Sequence, residues 1–443
     1  MKMNSSRQDD LLGMKAIDAF AYLLIVAMLA CECSLFFLSF LPPVFFEICG
    51  YNAKYLSSAF AFLGFLMMLL LACRGEKVAS FLFGVPISAY VIMCVSISFV
   101  SAFAYGIALK SVLIVSVPSI CIPLLYFALH GMVKNNKLYE YFIQATIVFA
   151  AVYAVLCLVE ASGASIMNET YQFTSVRNGR LRIIVSGDFV TFGAVVALGR
   201  AFATKKGRVL NSTLFAIMAF ELYWVAQTRF LLVGLTVAAS FGFVISGKNK
   251  MIKIVCMSLA ALTVLSQFSP ELTSFFFPGE QDVSGIARAH AYTYYWSHIA
   301  DLGVFGLGYI PADSSQYALL SMVTTAGFER GDITDIGIVG YLARYGFCGA
   351  IVLALAIIWF IRVIRQNTSD GFRIGTNPET WMSFVLFVAI CPTMAISDPQ
   401  RIFYLPILAL MIEHALLFRF HSGHVVRQAP SDPATASLGG SLG

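Results

Sequence analysis

Apolar runs of about 18 residues or more recur along nearly the whole chain, and no other feature restricts the possible folds as much. At about 1.5 Å of rise per residue, such a run crosses a hydrocarbon layer ~30 Å thick. Lipid offers no partner to a bare N–H or C=O, so each run is expected to be a helix, which satisfies its own backbone. Composition agrees: with 59% hydrophobic and 12% charged residues and a mean hydropathy of +0.81, the 443 residues carry too few charges to coat a water-soluble body.

The apolar runs predict spans at 17–41, 55–73, 79–103, 111–130, 141–159, 188–204, 211–227, 230–246, 252–268, 336–361, 382–397 and 402–418. The expected fold class is therefore all-α: a polytopic integral membrane protein of about 12 transmembrane helices. Residues 1–420 read as a single transmembrane domain with two sizeable outer loops, 160–187 and 269–335. Loops of that length are functional or disordered, and their aromatic and apolar content argues against disorder. Within the second loop, Ala287 to Leu302 has the pattern of an amphipathic surface helix. Residues 421–443, rich in Pro, Ser, Gly and Ala, read as a disordered tail. No small-residue cleavage site follows the run that begins near Ile17, so it reads as a retained helix. All ten cysteines lie in or beside apolar runs, as small core residues do, and predict no disulfide framework.

Orientation follows from basic charge, which is concentrated on cytoplasmic loops. With the N-terminus inside, only Lys54, Lys110, Arg177, Arg180, Arg182, Arg229, Arg288, Arg330, Arg344 and Arg401 of the 29 basic residues fall outside. Both termini are thus expected in the cytoplasm of a bacterial inner membrane, with the long loops periplasmic. The outer set is mostly arginine, whereas lysine and arginine are nearly balanced inside. Guanidinium, and not charge alone, is selected on the outer face.

Arg177, Arg180 and Arg182 cluster in the first outer loop, Arg229 lies in the short turn "AQTRFLL", and Arg288 opens the surface segment of the second loop. A guanidinium fork matches phosphate oxygens in pairs and keeps its proton, which suits a pyrophosphate at a membrane boundary; snorkelling to lipid headgroups is the competing reading. Asp332 and Asp335 precede the apolar run "IGIVGYLARYGF". There a carboxylate fits a general base, and equally a helix cap, with Asp332 as N-cap and Asp335 in the first turn. His290 fits a sugar or phosphate contact; it and His298 lack the accompanying ligands of a metal site, so no metal is expected. Glu32 and Glu221 fall inside apolar runs, where an acid normally faces a cavity or a partner. Glu221 precedes Arg229 by about two helical turns, so one helix face could carry both. No nucleotide-binding loop, dinucleotide motif or nucleophile elbow is present, so no cofactor is expected, and no basic tract points to nucleic acid.

Three segments together resemble the O-antigen ligase and polymerase superfamily of bacterial surface-polysaccharide enzymes. "QTRFLLVGL" is similar to its arginine-containing segment before a membrane helix, with Thr228 where the family has Ser and with Arg229 retained. "RAHAYTYYWSHIADLGVFGLGY" resembles the next signature, an arginine and aromatics closing on Gly306 and Gly308. "DIGIVGYLARYGFCGA" resembles the segment that leads into the following helix, with Gly346 and Gly349 as its glycine pair. The ligases carry a His-Asn at the start of that segment and a Glu before the glycine; here Asp335 and Arg344 occupy those positions. Arg182 and Gly193 also resemble a spaced Arg–Gly pattern of the polymerases.

The resemblance implies a GT-C-like, metal-independent membrane glycosyltransferase that joins oligosaccharide repeats carried on undecaprenyl pyrophosphate, for O-antigen, capsule or exopolysaccharide. It implies membrane lipids, a flippase and a chain-length regulator as partners. Arg229 and Arg288 would grip the pyrophosphate, supported by Arg177, Arg180, Arg182, His290, Asp332 and Arg344, with Asp335 as base. The alternatives are an O-antigen ligase that uses lipid A-core as acceptor, and a flippase or other secondary transporter, which would place its ionisable groups along a central path.

Overall fold

The computed structural model describes residues 5–33, 53–73, 81–166, 174–177, 180–183, 186–246, 250–265, 283–298, 303–315, 321–322, 331–333, 336–367, 377–394, 398 and 401–425. The chain is predominantly helical. In order it forms α1 (Ser5–Glu32), α2 (Ala53–Cys73), α3 (Gly84–Tyr105), α4 (Leu109–Cys121) and α5 (Asn136–Ala161). A hairpin of β1 (Thr174–Arg177) and β2 (Arg180–Ile183) follows, then α6 (Gly187–Ala203), α7 (Arg208–Glu221), α8 (Arg229–Ser246) and α9 (Lys250–Leu265). Helix α10 (Val283–Ser297), strands β3 (Ser321–Met322) and β4 (Gly331–Asp332), α11 (Gly337–Asn367), α12 (Pro378–Ile390) and α13 (Tyr404–Val425) complete it.

Each expected apolar run has a helical counterpart, and six stretches are long and apolar enough to cross a membrane. Their outward faces stay apolar: Phe62, Leu63, Leu70, Ile351 and Ile358 are all exposed. That is the surface of a helical membrane protein, whose solvent on those faces is lipid. Several boundaries differ from expectation. The run 111–130 is broken where Pro118 and Pro123 remove backbone donors; a 3-10 turn at Ile122–Leu124 leads into two short helices, Leu125–Ala128 and Gly131–Lys134. Helix α13 runs to Val425, past the expected tail boundary at 421, while 426–443 lie outside the described residues.

Helix α6 is the axis of the bundle. It packs against α5, α7, α8 and α12, and every residue from Phe189 to Gly199 is buried. Its small residues permit this: a side chain at Gly193 would collide with Ala150, and one at Gly199 with the backbone of Glu379. Charge therefore occurs only near its ends. Near the C-terminal end, Arg200 Nη2 lies 2.6 Å from Glu140 and Nε 3.5 Å from Glu379. Nearby, fully buried Glu413 accepts from Tyr126 Oη and the Leu82 amide and meets His130 Nε2 at 2.9 Å. His414 stacks on Tyr139 at 3.8 Å, so α5, α13 and the segments around residues 82 and 130 are tied together at this end.

A second, smaller core forms where the second loop meets α11: Ala291 and Tyr295 of α10 pack with Ile310, Ile333, Ile336, Val339 and Ala343. Helix α11 is interrupted at Gly346, whose φ of 58° and ψ of −148° are not helical. Residues 303–308 bridge the interruption. Leu307 and Gly308 amides donate to the Ala343 and Arg344 carbonyls, and Phe347 and Cys348 amides donate to the Gly303 and Val304 carbonyls. Gly306 and Gly346 both have positive φ and touch backbone to backbone, so neither position has room for a Cβ. The uninterrupted span expected at 336–361 is thus two helical pieces joined by an inserted loop. Beneath it, the Tyr345 hydroxyl lies 3.3 Å from that of Tyr90 and 3.1 Å from that of Tyr309, and the Tyr309 amide donates to Ser101 Oγ. Burial holds the Tyr309 phenol well above its ordinary pKa, so it takes part as a neutral hydroxyl.

Candidate functional site

The arginine-rich part of the first loop is the β1–β2 hairpin. The register pairs Arg177 with Arg180 and Ser175 with Arg182. Strand alternation assigns positions 175, 177, 180 and 182 to one face, and 174, 176, 181 and 183 to the other, where Ile183 is buried.

The hairpin is fixed to the turn that carries Arg229. Arg182 Nε donates to the Ala226 carbonyl at 3.0 Å. Ala226 ends a π-helical stretch, Leu222–Ala226, that continues α7. Gln227 then turns the chain with a φ of 48°, Thr228 Oγ1 donates back to the Ala226 carbonyl, and Arg229 opens α8. This corrects the expectation that Glu221 and Arg229 share a helix face, because the helix changes pitch and ends between them. Glu221 is 2% exposed, and its Oε2 has no hydrogen-bond partner among the described residues.

Gly187, the first residue of α6, meets Leu231 and Ala226 across this same turn. It follows Ser186, whose φ is 57°. Ser186 and Gln227 are the two non-glycine residues with positive φ among the described residues, and the Gly187–Ala226 contact brings their turns together. Such backbone costs on the order of 1–3 kcal/mol per residue and concentrates at functional sites.

Next to that contact lies an ion network. Asp188 Oδ2 is 3.0 Å from Arg401 Nε, and Arg401 Nη1 is 3.3 Å from Asp398 Oδ2. Lys54 pairs with Glu32 at the facing ends of α2 and α1, and Glu32 and Asp188 are close enough to repel. Ions this deeply buried persist only when paired, and the Asp188–Arg401 pair joins segments distant in sequence.

The residues singled out from the sequence fall into two groups. Arg182 and the backbone of Arg177, Arg180 and Arg229 gather at the hairpin and the 226–229 turn. Arg288, His290, Asp332 and Arg344 lie on elements around the second core. Arg288 sits one helical turn before buried Ala291, and His290 is exposed. Asp332 lies in a strand pair opposite Ser321 and five positions before α11, which corrects its expected role as an N-cap. Arg344 is half-buried immediately before the α11 interruption. Asp335 lies outside the described residues. Gly337, which opens α11, touches the carbonyls of Cys391 and Pro392, and Arg401 reaches Asp188.

Sequence reasoning passed over Asp188, Asp398 and the pairing role of Arg401. Asp188 is an acid at the start of an otherwise apolar run, a pattern shared by any helix terminus, whereas "VRNGRL" carries the Asn-Gly signal of a hairpin. The Arg401 pairing had no sequence signal, since its partner is more than two hundred residues away.

Comparison with models of protein families gave no match, and comparisons with curated proteins and with solved structures gave no significant match.

Proposed function

We propose that this chain is a membrane glycosyltransferase that polymerises oligosaccharide repeats carried on undecaprenyl pyrophosphate, acting at the periplasmic face of a bacterial inner membrane. The observation that carries the reading is the arginine hairpin held on the Arg229 turn by the 3.0 Å bond from Arg182 to Ala226, with both strained residues beside it. An arginine-rich hairpin beside an arginine-bearing turn suits a diphosphate at the lipid boundary, and stabilising its charge as it leaves is the main catalytic need of such a transfer. Arg229 and Arg288 hold the pyrophosphate, with Arg177, Arg180 and Arg182 around it, while His290, Asp332 and Arg344 contact the glycan. Asp335 orients the acceptor.

Further support comes from the segments that resemble the polysaccharide enzymes. The second and third interlock at Gly306 and Gly346, so what reads as two separate motifs forms one structural unit. A transporter is less well supported, because the described ion pairs sit toward the two ends of α6 and not along its buried middle.

The test is reconstitution of the purified protein in vesicles with lipid-linked repeats. Lengthened lipid-linked chains are the expected product. Transfer only onto lipid A-core would identify a ligase instead, and movement of lipid-linked repeats across the vesicle without new glycosidic bonds would identify a transporter.

A further inference from the structure

We propose that Asp188 is the catalytic base that takes the proton of the attacking sugar hydroxyl, and that Arg401 is its positioning residue. The proposal rests on the glycosyl-transfer reading above. Arg401 Nε lies 3.0 Å from one carboxylate oxygen, Oδ2, as an ion pair and not a hydrogen bond. The pairing anchors that oxygen, and Oδ1 keeps its lone pairs for a hydroxyl. Arg401 is itself fixed by Asp398 at 3.3 Å, so the guanidinium cannot swing away to a phosphate.

Accessibility separates Asp188 from the other acids of the network. Its side chain is 16% exposed, against 4% for Asp398 and 2% for Glu32. Asp188 is thus the one carboxylate of that network that a substrate can reach without unpacking the bundle. Its place is also right for the reaction. Gly187 beside it touches Ala226, whose carbonyl holds Arg182, and Arg229 follows three positions later. A sugar whose pyrophosphate rests against that hairpin and turn would present its anomeric carbon within the same small region.

The step balances. As the acceptor oxygen bonds to the anomeric carbon, its proton passes to Asp188 Oδ1. The anomeric carbon's bond to the phosphate oxygen breaks, and the electron pair leaves with the lipid pyrophosphate. Asp188 then returns the proton to water.

The experiment measures chain elongation and donor dependence in reconstituted vesicles for Asp188→Asn, Arg401→Lys and Asp335→Asn. Asp188→Asn is expected to lower kcat by about 10²–10⁴-fold while KM for the lipid-linked donor stays within about threefold, the signature of a lost proton acceptor. Arg401→Lys keeps the charge but loses the fork, and should lower kcat by an intermediate factor with the same donor KM. Turnover of Asp188→Asn within about threefold of wild type would overturn the proposal. So would a large kcat loss confined to Asp335→Asn, or a donor KM that rises in step with the loss at Asp188. Should Asp188→Asn fail to fold, Asp188→Glu decides: slowed turnover at unchanged donor KM supports the assignment, and wild-type turnover refutes it. A wild-type protein that elongates nothing would refute the glycosyl-transfer reading itself, a result distinct from all of these.

Discussion

The two ends of α6 make an instructive pair. Asp188 and Arg200 are separated by about 18 Å of buried helix, and each is half of an ion network. Around Arg200 no described non-glycine residue has positive φ, and the neighbouring acids are held by donors from several elements: Glu413 alone takes Tyr126, His130 and Leu82. Around Asp188 the backbone is irregular, with a π-helical stretch, a hairpin and both positive-φ non-glycine residues. Buried charge by itself therefore does not distinguish a clamp from a site. What distinguishes them is whether the backbone around the charge is relaxed, because strain survives only where something other than stability maintains it.

Five substitutions probe these regions. The largest effects are expected at the arginines, where Arg229→Lys at the strained end and Arg288→Lys beside the second core should each cut polymer formation by at least ~10²-fold at unchanged protein level, since lysine cannot reproduce the bidentate grip. Gel analysis of the glycan beside an immunoblot measures both, and full-length polymer from either variant would remove that residue from the pyrophosphate site. At the relaxed end Glu413→Ala should cost about 3–5 kcal/mol of stability, because it strands His130 and Tyr126. Thermal unfolding in detergent reads this, and an unchanged Tm would mean that the network is no clamp. Gly346→Ala should cost about 1–3 kcal/mol, from forbidden backbone and collision with Gly306, with the same readout. The smallest effect is at Gln227: Gln227→Gly relieves a φ of 48° and should stabilise by up to about 1 kcal/mol while slowing elongation. If it is both more stable and equally fast, the strain there has no catalytic purpose.

Much of this architecture was legible in the sequence because apolar length reports directly on helices in lipid. The positions of α2, α3, α5 and α8 followed from it within a few residues. The interruption of α11 was not legible: Gly346 lies in an apolar stretch, and only the approach of residues 303–308, some forty positions earlier, shows why the helix gives way there. At the candidate site, the arginines announced themselves by residue type. Asp188 did not, because one acid at the start of an apolar run looks like any helix terminus until Arg401 is found beside it. Pairings across the fold carry no local pattern, so chemistry that depends on them appears only with the coordinates.

The loop threaded into α11 also bears on how the protein is made. Without it, the carbonyls of Ala343 and Arg344 and the amides of Phe347 and Cys348 would enter lipid bare, at several kcal/mol apiece. Synthesis delivers residues 303–308 ahead of α11, so their partner strand of peptide groups is already waiting when the helix arrives. Integration of that helix and closure of the loop are then a single event, and a ribosome-stalled chain ending before Cys348 should leave the helix poorly inserted.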